Sequence, residues 1–181
     1  MGVIGYNVIG GVAENIDNTD RNSLTDNSSY VYVAPVGEQV FKLWFYVGAT
    51  YTGDSGGVDI GVYNVTSGTD AATLVASGNI PSMSLNSWNS VEITPVALTA
   101  TNTYAVGLRV VSATTIRSQN LYSAGATSLS TTTGTSVLPS TWDDTSGTGV
   151  MRSFYAETEA SASGPVITNV NTTNVVQVGD V

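Results

Sequence analysis

The 181-residue chain has no cysteine and no histidine. Without cysteine there are no disulfides, thiolate metal sites or cysteine nucleophiles. That absence does not identify a compartment. Without histidine the commonest general base and the commonest imidazole ligand are missing. Serines are plentiful, but none has an imidazole to activate it. Basic residues are also scarce: Arg21, Lys42, Arg109, Arg117 and Arg152 face 14 acids, for a net charge of −9. Binding a nucleic-acid backbone takes clustered cations that displace counterions, and anionic lipid makes the same demand. Neither nucleic acid nor membrane is therefore an expected partner. No apolar run approaches the length of a membrane span.

The N-terminal stretch MGVIGYNVIGGVAENIDN has no basic segment and no long apolar segment, so it does not read as a secretory signal. Gly2 follows Met1, but Tyr6 stands where a myristoylation signal wants Ser or Thr. The chain is expected to be made and folded in the cytoplasm. The Asn27, Asn64 and Asn171 glycosylation triplets then read as chance.

Apolar residues make up 41% of the chain, enough for a real core. Charged residues are only 10%, against roughly 25% in an average domain. The solvent face must therefore be built from Ser, Thr, Asn and Gly, which suits strands and turns. Residues 40–111 carry the clearest pattern: four apolar, alternating runs separated by Gly, Asn, Asp and Ser, with no helical stretch between them. That pattern predicts an all-β, antiparallel β-sandwich.

Residues 3–9 read as a first strand, and 10–28, rich in Gly, Asn and Asp, as a long loop. Further strands are expected at 30–33, 40–47, 58–63, 73–77, 87–93 (closed by Pro95), 103–111, 115–122 and 150–157. Residues 123–149 are too rich in Ser, Thr and Gly to assign. In the strongest strand, Phe41, Leu43, Phe45 and Val47 share one face, with Lys42, Trp44 and Tyr46 on the other. The domain is expected to cover 1–159, with a linker at 160–165 (Ala160 to Gly164 are all small); the alternating tail PVITNVNTTNVVQVGDV then resembles the opening of an immunoglobulin-like domain, so a second β domain is expected to start at 166–181.

Several segments resemble a known module. VDIGVYNVTSGTDAATLVAS, SWNSVEITPVALTATNTYAVGLRV, LPSTWDD and SFYAETE are similar to successive parts of a jelly-roll domain found in bacteriophage virion proteins and bacterial surface proteins. The resemblance covers roughly residues 1–159 and brings no catalytic residues with it. It implies a non-enzymatic capsid-decoration, tail or fibre component that acts through a display or adhesion surface. Its expected location is the virion. Its partners would be other virion proteins and further copies of itself. The alternative is a carbohydrate-binding module of a bacterial surface or secreted protein, with a cell-surface glycan as ligand. No cofactor is expected.

Candidate site residues are few. Trp142 with Asp143 and Asp144 is the best sugar-binding cluster, since an indole offers a flat apolar face and carboxylates accept hydrogen bonds from hydroxyls. The competing reading has Trp142 capping an open end of the sandwich. Asp143-Asp144 is also the only adjacent acid pair for glycosidase chemistry, though solvated loop acids explain it as well. Asp54, Asp59 and Asp70 flank glycine turns and could supply calcium ligands; their spacing fits no EF-hand loop, and turn formation accounts for them. Trp88 is expected in the core. Trp44 is expected to lie over Gly61 and Gly107 of neighbouring strands, with a ligand platform as the other reading.

Overall fold

The computed structural model describes residues 1–5, 7, 9, 12–17, 22–25, 32–53, 57–65, 72–110, 114–121, 129–131, 138, 140–142 and 151–161. Several of these are described by backbone path only, among them 12–17, 22–25, 50–53, 114–121 and Trp142. Among them there is no helix. The strands are β1 (Gly2–Gly5), β2 (Val12–Asp17), β3 (Asn22–Thr25), β4 (Tyr32–Val33), β5 (Glu38–Gly53), β6 (Val58–Val65) and β7 (Ala72–Ile80). They continue as β8 (Ser87–Ala97), β9 (Thr103–Val110), β10 (Thr114–Leu121), β11 (Leu129–Thr131), β12 (Thr141–Trp142), β13 (Met151–Arg152) and β14 (Phe154–Ala160).

Among the described residues all pairings are antiparallel, and the strands form two seven-stranded sheets. The first sheet is organised around β5, which pairs with β14 and β10 along one edge and β8 along the other. β1 extends it beyond β14, and β2 and β13 pair with β10. The second sheet is built on β6, flanked by β7 and β9. β3 and β4 pair with β9, β11 with β3, and β12 with β7. The chain is an all-β sandwich of two antiparallel sheets.

The inner faces meet in one apolar core. Leu43, Phe45 and Val47 of β5, Ile4 of β1 and Phe154 and Ala156 of β14 are fully buried against Val58, Ile60, Val62, Val106 and Leu108 of the second sheet. Fully burying each of the larger side chains contributes about 1.5–3 kcal/mol. The alternation of period two in these strands is therefore what selects the pairing of the two faces.

Four expectations need correction. The stretch 10–28 is not one loop: β2 and β3 lie within it, one in each sheet. Their Ser, Asn and Asp content masked them, because backbone pairing asks nothing of the side chain. Phe41 does not share the core face of β5. The register jumps from Val40↔Thr158 to Lys42↔Glu157, so Phe41 is the extra residue of a β-bulge and Val40 takes the buried position instead. Pro95 does not end its strand: β8 runs to Ala97, and Pro95 falls in the same irregularity, between the pairs Lys42↔Glu92 and Val40↔Val96. A strand that pairs on one side tolerates proline there. Trp88 is not core, as described below.

The last described strand ends at Ala160, and the Ser161 N–H donates to the Gly37 carbonyl. The expected second domain at 166–181 lies outside the described residues.

A buried polar cluster ties the two sheets together at one end. Glu38, 8% exposed, accepts hydrogen bonds from the Tyr32 hydroxyl and, at 2.7 Å, from the fully buried Thr158 hydroxyl. Tyr32 belongs to β4 in the second sheet, whereas Glu38 and Thr158 belong to the first. Gly2 of β1 closes over them: a Cβ there would come within 2.3 Å of the Tyr32 hydroxyl and 2.5 Å of Thr158 Oγ1.

Candidate functional site

Among the described residues, the two outer faces differ. The outer face of the second sheet is covered. Tyr63 is fully buried there with Val65, Ala72 and Ala105, and Leu74 packs against them. Leu138 is 8% exposed, and its Cδ1 would lie 3.1 Å from a Cβ at Gly61. Burial holds the Tyr63 phenol well above its ordinary pKa. Beyond this patch, Asp59, Arg109 and Asn79 sit in one cross-strand row. Arg109 donates to Asp59 Oδ2 at 3.1 Å, and Asn79 donates to Asp59 Oδ1 at 2.7 Å. Asp59 thus lies in the strand expected at 58–63, held by an ion pair and not by a turn.

The outer face of the first sheet carries half-buried aromatic residues instead. Register places Tyr155 of β14 opposite Trp44 of β5, and Trp44 opposite Ser90 of β8. One row along, Tyr46 is opposite Trp88. The Trp44 and Tyr155 rings stack at 5.9 Å with planes 11° apart. Trp88 makes edge-to-face contacts with Tyr155 at 5.1 Å and with Tyr46 at 5.5 Å. The four rings form one continuous string. Because each inward neighbour (Leu43, Phe45, Val47, Phe154) already fills the core, the fold does not require these outward positions to be aromatic.

The adjoining row is charged. Lys42 lies in register between Glu157 and Glu92. Its Nζ is 3.5 Å from Glu92 Oε1 and 4.7 Å from the Trp44 ring centroid, a cation–π contact. The Glu92 side chain is 81% exposed. Gln39 donates to Glu159 one row further on. The Tyr155 phenol is pushed up, first by burial and then by the charge of Glu157. Trp44 Nε1 is buried without an acceptor among the described residues.

These facts redistribute the sequence-derived candidates. Trp44 does not cover Gly61 and Gly107, which pair with each other in the opposite sheet. The same period-two pattern fits either sheet, and only the long-range pairing of β5 with β14 shows what adjoins Trp44. Trp88 is half-buried on the outer face of β8, beside Tyr46. The backbone of Trp142, in β12, pairs with Ala72 of β7. Its side chain, and all of Asp143, Asp144, Asp54 and Asp70, lie outside the described residues. Tyr155 is the residue the sequence reading missed. The available signal was its outward phase in an alternating strand whose inward positions are Phe154 and Ala156.

Chemically this face offers flat apolar rings, hydrogen-bonding carboxylates, one ammonium and the Ser90 hydroxyl. The described residues bring no three acidic groups together in a metal-binding arrangement. Comparison with protein families, with curated proteins and with solved structures finds no match to this chain.

Proposed function

We propose that the chain is a non-enzymatic structural protein of a bacteriophage particle, a head-decoration, tail or fibre component, that works by presenting the outer face of its first sheet. One observation carries this reading: the aromatic string Tyr46–Trp88–Tyr155–Trp44 on a face whose counterpart across the sandwich is covered. A sheet face that ends in rings and charges, with no imidazole or thiol in the chain, is suited to surface recognition and not to bond making. The resemblance of residues 1–159 to jelly-roll modules of virion proteins supports the particle setting.

The test is location. Particles purified by density gradient should contain the chain at a stoichiometric ratio to the major capsid or tail protein, and electron microscopy with a specific antibody should place it on their surface. A carbohydrate-binding module of a bacterial surface or secreted protein is the second reading, favoured by the same aromatic string. On that reading the chain would be found in the cell-surface or secreted fraction and would be absent from particles.

A further inference from the structure

We infer that the outer face of the first sheet is a binding site for a neutral glycan chain, centred on Trp88 and Tyr155. The inference rests on reading this face as a display surface, and it holds whether that surface belongs to a particle or to a cell.

The size of the patch comes first. The patch, two ring-bearing rows and the charged row beside them, spans β14, β5 and β8. With strands ~4.8 Å apart and a rise of ~3.3 Å per residue, that is about 10 Å by about 13 Å, on the order of 130 Å². A stable protein–protein interface needs about 800 Å² from each partner. The ring patch alone falls well short of that area and matches the footprint of a few sugar units.

Polarity comes second. A pyranose has C–H faces that pack on aromatic rings and a rim of hydroxyls that seek carboxylates. The face supplies both in adjoining rows, rings at Trp44, Trp88 and Tyr155 and carboxylates at Glu92 and Glu157. A dry protein contact would have to desolvate that charged row, which is costly. A hydroxylated ligand can hydrogen-bond to it.

Charge then fixes the class of sugar. Lys42 stands between Glu157 and Glu92, so the row is net negative, as is the chain at −9. Uronate or sulfated polymers would be repelled. The rings are already packed on one another, so little ordering cost opposes binding.

The test titrates the whole chain with soluble neutral polysaccharides (β-glucan, mannan, galactan, dextran) and acidic ones (alginate, hyaluronan), following tryptophan fluorescence and affinity electrophoresis. Binding to at least one neutral polymer and to neither acidic one is expected. Trp88→Ala should weaken it at least tenfold, a loss of 1.4 kcal/mol of binding free energy. Because Trp88→Ala could disturb folding, Glu92→Ala, at a largely exposed position, is the second variant; it should weaken binding several-fold with an unchanged melting temperature. Trp142→Ala should bind as the parent does. The inference is overturned if no neutral polymer binds, if an acidic polymer binds better, or if binding survives Trp88→Ala and is lost in Trp142→Ala. Self-association of the chain that Trp88→Ala abolishes would also overturn it. None of these results bears on where the protein resides, so particle association can fail or succeed independently.

Discussion

Trp44 and Tyr155 stack across the seam between β5 and β14, with ring planes 11° apart, at positions that the register pairs directly. An aromatic pair facing each other across strands contributes about 0.5–1.5 kcal/mol beyond the area it buries. A double-mutant cycle of Trp44→Ala and Tyr155→Ala, read by urea denaturation, should therefore give a coupling energy in that range. Independent effects of the two substitutions would show that the stack adds nothing beyond burial. Neither substitution should approach Phe45→Ala in the core, where loss of a buried phenyl costs about 3–5 kcal/mol.

Alkaline pH should destabilise the fold through Tyr32. Its phenol is pushed up to about 12, first by burial, then by its hydrogen bond to Glu38 and by that carboxylate's charge, with Thr158 opposing. The folded pKa lies above the unfolded value of 10, so the native state keeps a proton that the unfolded chain releases. The resulting stabilisation is complete below about pH 10 and is lost as pH rises toward 12. Tyr63, raised by burial, and Tyr155, raised by burial and by Glu157, add to the trend. Urea midpoints measured on either side of about pH 10 should fall with pH in the parent and fall less in Tyr32→Phe. Equal slopes would show that Tyr32 does not carry the effect.

Much of the fold was legible because β5, β6 and β9 alternate cleanly, so their inward positions (Leu43 and Phe45, Ile60 and Val62, Val106 and Leu108) could be read from period alone. β2 and β3 were not legible, because strands such as NSLT carry no apolar period. The displacement of Phe41 was hidden because a bulge shifts phase without any change in composition. The candidate site was half legible. Trp44, Tyr46 and Lys42 could be placed together on one face, since they share a strand. That Tyr155 and Trp88 complete the same surface depends on pairings between segments far apart in the chain. Trp142 stood out only because it adjoins two acids, a local signal with no information about the fold.

The Asp59–Arg109 pair should behave as a buried ion pair and not as a surface one. Arg109 is 7% exposed and its partner carboxylate is also held by Asn79. Removing one partner leaves the other charge uncompensated, which costs about 3–5 kcal/mol when fully buried. Asp59 retains some exposure, so Asp59→Ala is expected at the lower end of that range. Arg109→Met combined with Asp59→Leu should recover most of the loss, because the uncompensated charge goes as well. Chemical denaturation of the two single variants and the double variant measures this. A double variant as unstable as the sum of the singles would mean that packing, and not charge, dominates at this row. By contrast, Lys42→Met should change stability by under about 1 kcal/mol, since its partner Glu92 is largely in water.

Gly2 is where the N-terminal strand either docks or fails to dock. A Cβ there would meet the Tyr32 hydroxyl, Thr158 Oγ1 and Glu38 Oε1, all closer than 3 Å. Two of those three groups are held in place by their hydrogen bonds to Glu38, so they cannot withdraw without breaking them. Gly2→Val must then either lift β1 off β14, withdrawing Ile4 from the core, or disrupt the cluster. Overpacking of this kind costs about 1–3 kcal/mol. Thr158→Val separates the two possibilities, because it removes one donor to Glu38 while keeping the side chain's shape, at a cost of about 1–3 kcal/mol for the group left unpaired. If the clash acts through the cluster, Gly2→Val in the Thr158→Val background should cost less than in the parent. If it acts by lifting β1, the two losses should add, and amide exchange in residues 2–5 should rise in Gly2→Val alone.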